Sequence, residues 1–252
     1  MQTEKSTEHL IELGVSGLRR SGGYIYEERL KELQGRRWRD IVAEMTYDPV
    51  VAAIMFAVDM LIRRVKWQMK AKGQEPIHQQ RAEFAWSCLN DMSSTWTATV
   101  SEILTMLPYG WSYMEMVYKQ RKGENPLPFI GPDGEKIEAA PSSYSDGRIG
   151  FRKWGIRAQD TLMRWEFDES GGIQGLWQIA PPDYQLTFIP IEKSLLFRTS
   201  SRKGNPEGES ILRGAYTSWY YKTNIQRVEA IGIERDMAGV PFAGVPVSML
   251  SS

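Results

Sequence analysis

GNPEGESILRGAYTSWYYKTNIQRVEAIGIERDMAGVP, from Gly204 to Pro241, is the stretch whose reading decides the architecture. It opens as a Gly/Pro/Asn loop, which supplies turn conformations and continues neither a helix nor a central strand. From Glu209 to Met237 runs a stretch of about 29 residues without proline, broken only by Gly214 and Gly232. At ~1.5 Å per residue, a helix over that run is roughly 43 Å long. Gly239 and Pro241 supply the stop signals. Leu212, Tyr216, Trp219, Val228 and Ile231 are spaced mostly by three or four and are expected to lean to one face. Arg213, Lys222, Gln226, Arg227, Glu229 and Glu234 are expected mostly elsewhere around the helix. A long helix with an aromatic face and a mixed-charge face reads as a strut between surfaces, not as the wall of a pocket.

Upstream, Gly14, Gly17, Gly22, Gly23 and Gly35 interrupt residues 1 to about 35, which read as an irregular arm with one short helical piece over Glu27–Gln34. Arg36, Arg37 and Arg39 form a basic cluster beside Trp38. Asp48 followed by Pro49 is a helix start, an N-cap side chain before the residue tolerated in the first turn. Val50, Ile54, Val58, Leu61 and Ile62 carry the helical spacing, and Arg63, Arg64, Lys66 and Lys70 suit the negative end of its dipole. Trp67 and Met69 alternate with charges and are expected to begin a strand. The stripe Phe84, Cys88, Met92, Trp96, Val100, Ile103, Leu104 and Leu107 predicts two helices divided near Ser93 and Ser94.

Pro108, Tyr109 and Gly110 end the helical part, and Trp111–Lys119 reads as a strand. Residues 120–148 hold many prolines and glycines and read as a long loop or inserted hairpin. Strands are expected at Arg148–Ile156, Thr161–Phe167, Ile173–Ile179, Tyr184–Ile189 and Leu195–Thr199, with a hairpin turn at Asp168–Gly172. The class is α+β: helices first, an antiparallel sheet second, the long helix last.

Composition narrows function. Lys plus Arg equals Asp plus Glu, 31 against 31. A protein that grips nucleic acid needs excess cationic side chains to displace counterions, so neutrality excludes a sequence-specific binder. It leaves a conduit open, because each tight phosphate grip is a barrier to sliding. The single Cys88 forms no intrachain disulfide. Met1–Leu10 lacks the pattern of a secretory signal, and the longest apolar run, Val50–Ile62, is too short to span a bilayer and contains Asp59, so no membrane segment is expected.

Catalytic patterns are missing. No Gly-Lys-Ser/Thr occurs, which excludes a phosphate loop of that type. Ser112 and Ser210 lack the flanking glycines of a nucleophile elbow. His9 and His78 stand far apart, so neither a metal nor another cofactor is expected. Glu115 is the carboxylate placed most like a general acid, but no companion acid accompanies it, and the role of an ordinary paired or solvated glutamate is favoured. No enzyme is expected.

The loop and long helix from Gly204 closely resemble those of tailed-bacteriophage portal proteins, especially the Mu-like group. Three further stretches are similar in the family's order: DPVVAAIMFAVDMLIRRVKWQMK (Asp48–Lys70), MLPYGWSYMEMVYK (Met106–Lys119), and TLMRWEFDESGGIQGLWQ (Thr161–Gln178) leading to IPIEKSLLFRTS (Ile189–Ser200). The resemblance implies an arm over 1–39, an α+β wing over 40–203, a loop and stem helix over 204–238, and the start of a clip over 239–252. Family members continue into a clip, a return stem helix and a crown, so these 252 residues are expected to be the amino-terminal part of a portal.

The resemblance also implies a homo-oligomeric ring, typically of twelve copies, at one capsid vertex. Double-stranded DNA would pass through it without sequence-specific binding. The implied partners are the major capsid protein, the terminase large subunit and a head-tail adaptor, in the virion and, during assembly, in the host cytoplasm. Within that picture Tyr216, Trp219 and Tyr220 are the candidates for the oligomer interface. Lys222, Gln226, Arg227 and Glu229 are the candidates for the channel- or solvent-facing side. A reading from a different class is a sugar- or peptide-binding module with an aromatic platform on a Trp-rich sheet.

Overall fold

The protein is described by a computed structural model over residues 14–131 and 134–239. It divides into two compact units, residues 1–212 and 213–252. In the first, Gly22 and Gly23, with φ of +56° and +83°, turn a short hairpin of β1 (Arg20–Ser21) and β2 (Tyr24–Ile25). Trp165 N donates to Gly23 O at 3.0 Å, which ties this hairpin to the core. The helical piece expected over Glu27–Gln34 shrinks to one 3-10 turn, Lys31–Leu33. The Arg36–Arg39 cluster lies in a helix, α1 (Gly35–Thr46), where Arg39 Nη1 donates to Leu162 O at 2.9 Å.

Helix α2 (Pro49–Arg63) starts where the Asp-Pro pair predicts. The Asp48 carboxylate accepts from Val50 N at 3.0 Å and Val51 N at 3.4 Å. Asp59 then pairs with Arg63 at 3.1 Å, one turn on. α1 and α2 meet at 89°, and no single helix among the described residues is long and apolar enough to cross a membrane. α3 (Pro76–Asn90) and α4 (Trp96–Ile103) divide at the predicted serines, with Thr95 Oγ1 accepting from Ala98 N to cap α4. A short α5 (Met106–Tyr109) ends at Gly110, whose φ of +89° is the left-handed stop that glycine supplies without a Cβ penalty.

The strand expected from Trp67 does not form. Lys66–Ala71 is not assigned to any strand and joins none of the four small sheets. Trp67 instead rests edge to face on Trp96, their rings 6.1 Å apart at 82°.

The predicted strands are present but divide between two antiparallel sheets. In chain order they are β3 (Trp111–Gln120), a hairpin of β4 (Phe129–Ile130) and β5 (Lys136–Ile137), β6 (Ile149–Arg157), β7 (Leu162–Phe167), β8 (Ile173–Ile179), β9 (Leu186–Pro190) and β10 (Ser194–Arg198). One sheet has the order β10-β3-β6, the other is the meander β7-β8-β9, and β4-β5 stands apart. The β7–β8 turn is the expected Asp168–Gly172: Asp168 Oδ1 accepts from Gly172 N at 2.6 Å and from Ser170 Oγ at 2.7 Å.

The core lies between the two sheets. Period-2 alternation puts Trp111 and Tyr113 of β3 on one face, and they meet Trp165, Leu176 and Ile189 of the meander. The Trp111 and Trp165 rings are 5.1 Å apart at 71°, an edge-to-face pair. Tyr113 OH donates to Ile189 O at 3.0 Å, and burial pushes its phenol up to about 12.

Residues 121–148 are tied to the helices by buried charge. Lys119 Nζ pairs with Asp91 Oδ2 at 3.0 Å and donates to Pro141 O at 2.6 Å. Asp91 also accepts from Ser142 Oγ at 2.7 Å and Ser143 N at 2.9 Å. The buried Arg121 donates to Ser87 Oγ at 3.0 Å, pairs with Asp146 at 3.3 Å and lies 3.8 Å over the Tyr144 ring.

Candidate functional site: an anchored loop and a long helix with apolar residues on every side

The loop Gly204–Glu209 is held by the fold around it. Its Gly208, with φ of +60°, lies so close to Gly110 that a Cβ would overlap the Gly110 carbonyl oxygen. Thr199 N donates to Gly110 O at 3.0 Å, while Thr199 Oγ1 donates to Glu209 O at 2.6 Å and accepts from Glu209 N at 3.0 Å. Trp165 Nε1 donates to Glu207 Oε1 at 3.2 Å. Burial raises the Glu207 carboxyl above its ordinary value, and neither Arg39 nor the Trp165 hydrogen bond offsets this. The same burial lowers Arg39, with Glu207 as the main opposing charge. Core, first helix and loop are thus coupled through one tryptophan and one carboxylate.

After the loop the helix begins later than its composition predicts. Ile211–Ala215 winds as a 3-10 turn, and α6 runs Tyr216–Met237, 22 residues. At ~1.5 Å per residue that is roughly 33 Å, not 43 Å. The Ser210 side chain explains the delay in part: its Oγ accepts from Leu212 N at 3.0 Å, a local bond that competes with helix.

The helix surface does not separate into one aromatic and one charged face. At ~100° per residue, Tyr221, Ile225 and Val228 form a row opposite Trp219, and all three are exposed, Val228 at 69%. Ile231, Ile233 and Met237 are exposed as well, on further sides. Of the interface candidates, Tyr216 is buried, Trp219 half-buried and Tyr220 exposed. Tyr216 stacks on Trp219 at 6.3 Å and on Tyr220 at 5.9 Å. Of the channel or solvent candidates, Gln226, Arg227 and Glu229 are exposed and Lys222 is half-buried. Gln226 stands seven residues after Trp219 and so shares its row, while Arg227 stands on a different side from Lys222, Gln226 and Glu229. Tyr221, Ile225 and Ile233 lie outside the stripe of Leu212, Tyr216, Trp219, Val228 and Ile231 that the spacing of three or four picks out, and all three are exposed.

For Glu115, burial alone would raise the carboxyl, but hydrogen bonds from Arg157 and Lys193 outweigh it and hold the group below the usual range. Lys193 Nζ stands 3.1 Å from it, and Arg157 donates from the other side. It is an ion-paired carboxylate, not a proton donor. Among the described residues no three His, Cys, Asp or Glu side chains gather as metal ligands. Of the nine tryptophans only Trp67 is exposed, and Trp111 and Trp165 point into the core. On the sheets, Phe188 of β9 is exposed beside the half-buried Trp177 of β8, their rings 5.1 Å apart, and Tyr118 of β3 is exposed beside Phe151.

No curated protein sequence matches the chain. A family model described as the portal protein of Mu bacteriophage matches residues 39–244, from the first helix through the loop and past the end of α6. The chain belongs to this portal protein family.

Proposed function

We propose that the chain is a portal subunit that assembles as a ring at the unique capsid vertex. The ring is a conduit for DNA packaging and ejection and a docking platform for the terminase large subunit and a head-tail adaptor. Residues 40–203 act as the wing, set against the major capsid protein, and 204–238 as loop and stem helix. Residues 239–252 lead toward a clip, and 240–252 of these lie outside the described residues.

The observation that carries this reading, beside the family, is α6. A helix apolar on several sides is ordinarily buried on several sides, yet Tyr221, Ile225, Val228, Ile231 and Ile233 are exposed. Leaving such side chains in water forfeits ~1.5–3 kcal/mol apiece relative to burial. A ring supplies neighbours on both flanks of each helix through a heterologous contact that closes by rotation. Zero formal charge suits a wall along which duplex DNA slides.

Light scattering on the purified protein tests the reading. Assembled particles many times the 28.9 kDa chain mass are expected, with a central hole when imaged down the axis. A species of single-chain mass at micromolar concentration in the whole portal protein would overturn it.

A further inference from the structure

Two exposed surfaces of the first unit carry opposite charge. One is the stretch after α2. Val65–Ala71, VKWQMKA, alternates apolar and polar residues as a half-buried strand does, yet it joins no sheet. Val65, Trp67 and Met69 are all exposed. The segment borders a groove of about 460 Å³ against α3, walled by Trp86, Ala82 and the acidic Glu83. Arg64, Lys66, Lys70 and Lys72 are exposed and make no ion pair among the described residues. From Met60 to Gln74 the sequence holds no Asp or Glu.

The other surface is the β4–β5 hairpin. Leu127, Phe129, Ile130 and Ile137 are exposed on it, Ile130 at 77%. Between Gly123 and Ala139 the described residues carry Glu124, Glu135 and Glu138 against Lys136 alone. Glu135 and Glu138 are exposed and unpaired among the described residues. An apolar hairpin flanked by acids and an extended-pattern segment flanked by bases thus occur on one chain.

We propose that the β4–β5 hairpin of one copy docks on the Val65–Ala71 segment and its groove in the next copy. This rests on the ring reading above and assigns part of the ring contact to the first unit rather than to α6. The occupant is a second copy because a heterologous interface requires two different, matching patches on the same chain, and here both are present with opposite charge. The apolar residues exclude water, the charges set register and reject like surfaces. The backbone of Lys66–Ala71, in no ladder of its own, takes an added strand edge.

The test is a charge exchange in the whole protein. Lys66→Glu with Lys70→Glu, and separately Glu135→Lys with Glu138→Lys, are expected to raise the concentration at which half the chains are assembled by about tenfold each. The four changes together are expected to restore wild-type assembly, which also shows that the single-sided variants fold. If wild type forms rings but either reversal leaves assembly unchanged, or the fourfold variant is no better than its parents, this contact is wrong and the ring stands. If wild type forms no ring, both readings fall. If instead Lys66→Glu with Lys70→Glu abolishes retention of duplex DNA while leaving assembly unchanged, the segment serves nucleic acid, and the assignment to a second copy is overturned.

Discussion

Gly110 and Gly208 hold each other in place. A side-chain carbon on Gly208 would overlap the carbonyl oxygen of Gly110, and one on Gly110 would overlap the carbonyl oxygen of Glu207. Both residues have positive φ, +89° and +60°. The close approach sets the end of the α-helical layer against the loop that precedes α6, and Thr199 bridges the two through Gly110 O and Glu209. The glycine at each of the two turns therefore meets one tertiary requirement expressed at two distant points of the chain.

Gly208→Ala is expected to destabilise the first unit. The left-handed conformation alone costs an alanine about 1–2 kcal/mol, and the overlap with Gly110 adds to it. Urea unfolding followed by tryptophan fluorescence should show a lower midpoint. Gly204→Ala is the comparison, since Gly204 also has positive φ, +73°, but has open space around it. Equal losses in the two variants would mean that the Gly110 contact carries no energy.

Asp91 and Lys119 form a buried pair, their side chains 3% and 5% exposed. Lys119→Met leaves the carboxylate without its cation and is expected to cost about 3–5 kcal/mol. The pH dependence follows from the direction of the shift. Burial would raise the Asp91 carboxyl, but Ser142, Ser143 and Lys119 together hold it below the ordinary aspartate value of 3.8. Its contribution is therefore present above that value and lost as pH falls through the lower folded value. Acid titration should remove stability from wild type that Asp91→Asn lacks already.

Glu207 predicts the opposite sign. Its folded-state carboxyl is raised by burial from the ordinary 4.5. A raised carboxyl contributes fully below the unfolded value and loses that contribution as pH rises through the folded one. Glu207→Gln has no such loss. The stability of Glu207→Gln minus that of wild type should thus grow as pH climbs above 4.5, whatever its value in acid. A difference that stays flat between pH 4.5 and neutrality would remove Glu207 as the titrating group.

On α6, Ile225→Asp is expected to abolish ring assembly while leaving the chain folded, because Ile225 is already 57% exposed and its replacement leaves no hole. Trp219→Ala is expected to weaken assembly as well, by removing the ring on which Tyr216 rests. Lys222→Ala and Arg227→Ala are expected to leave rings intact. Particle mass by light scattering and far-ultraviolet circular dichroism separate loss of assembly from loss of fold. Rings of unchanged mass in Ile225→Asp would mean that this side of the helix meets solvent.

The sequence by itself determined what short-range physics controls. Asp48-Pro49 caps α2, Gly110 stops α5, Asp168–Gly172 turns the β7–β8 hairpin, and the proline-free run makes α6. Each of these depends on bonds and dihedrals within a few residues, so local pattern suffices. Tertiary structure decided the rest. Nothing in VKWQMKA distinguishes a segment that pairs from one that does not, because a ladder needs an edge to pair with, and the segment joins none of the sheets. The alternating strands could have formed one sheet; the packing of Trp111 and Tyr113 onto Trp165 divided them into two. The stripe read along α6 marked one face, but which sides stay wet depends on how many surfaces the fold brings to it. For that reason the exposure of Tyr221, Ile225 and Ile233 is a property of the tertiary structure and not of the stripe.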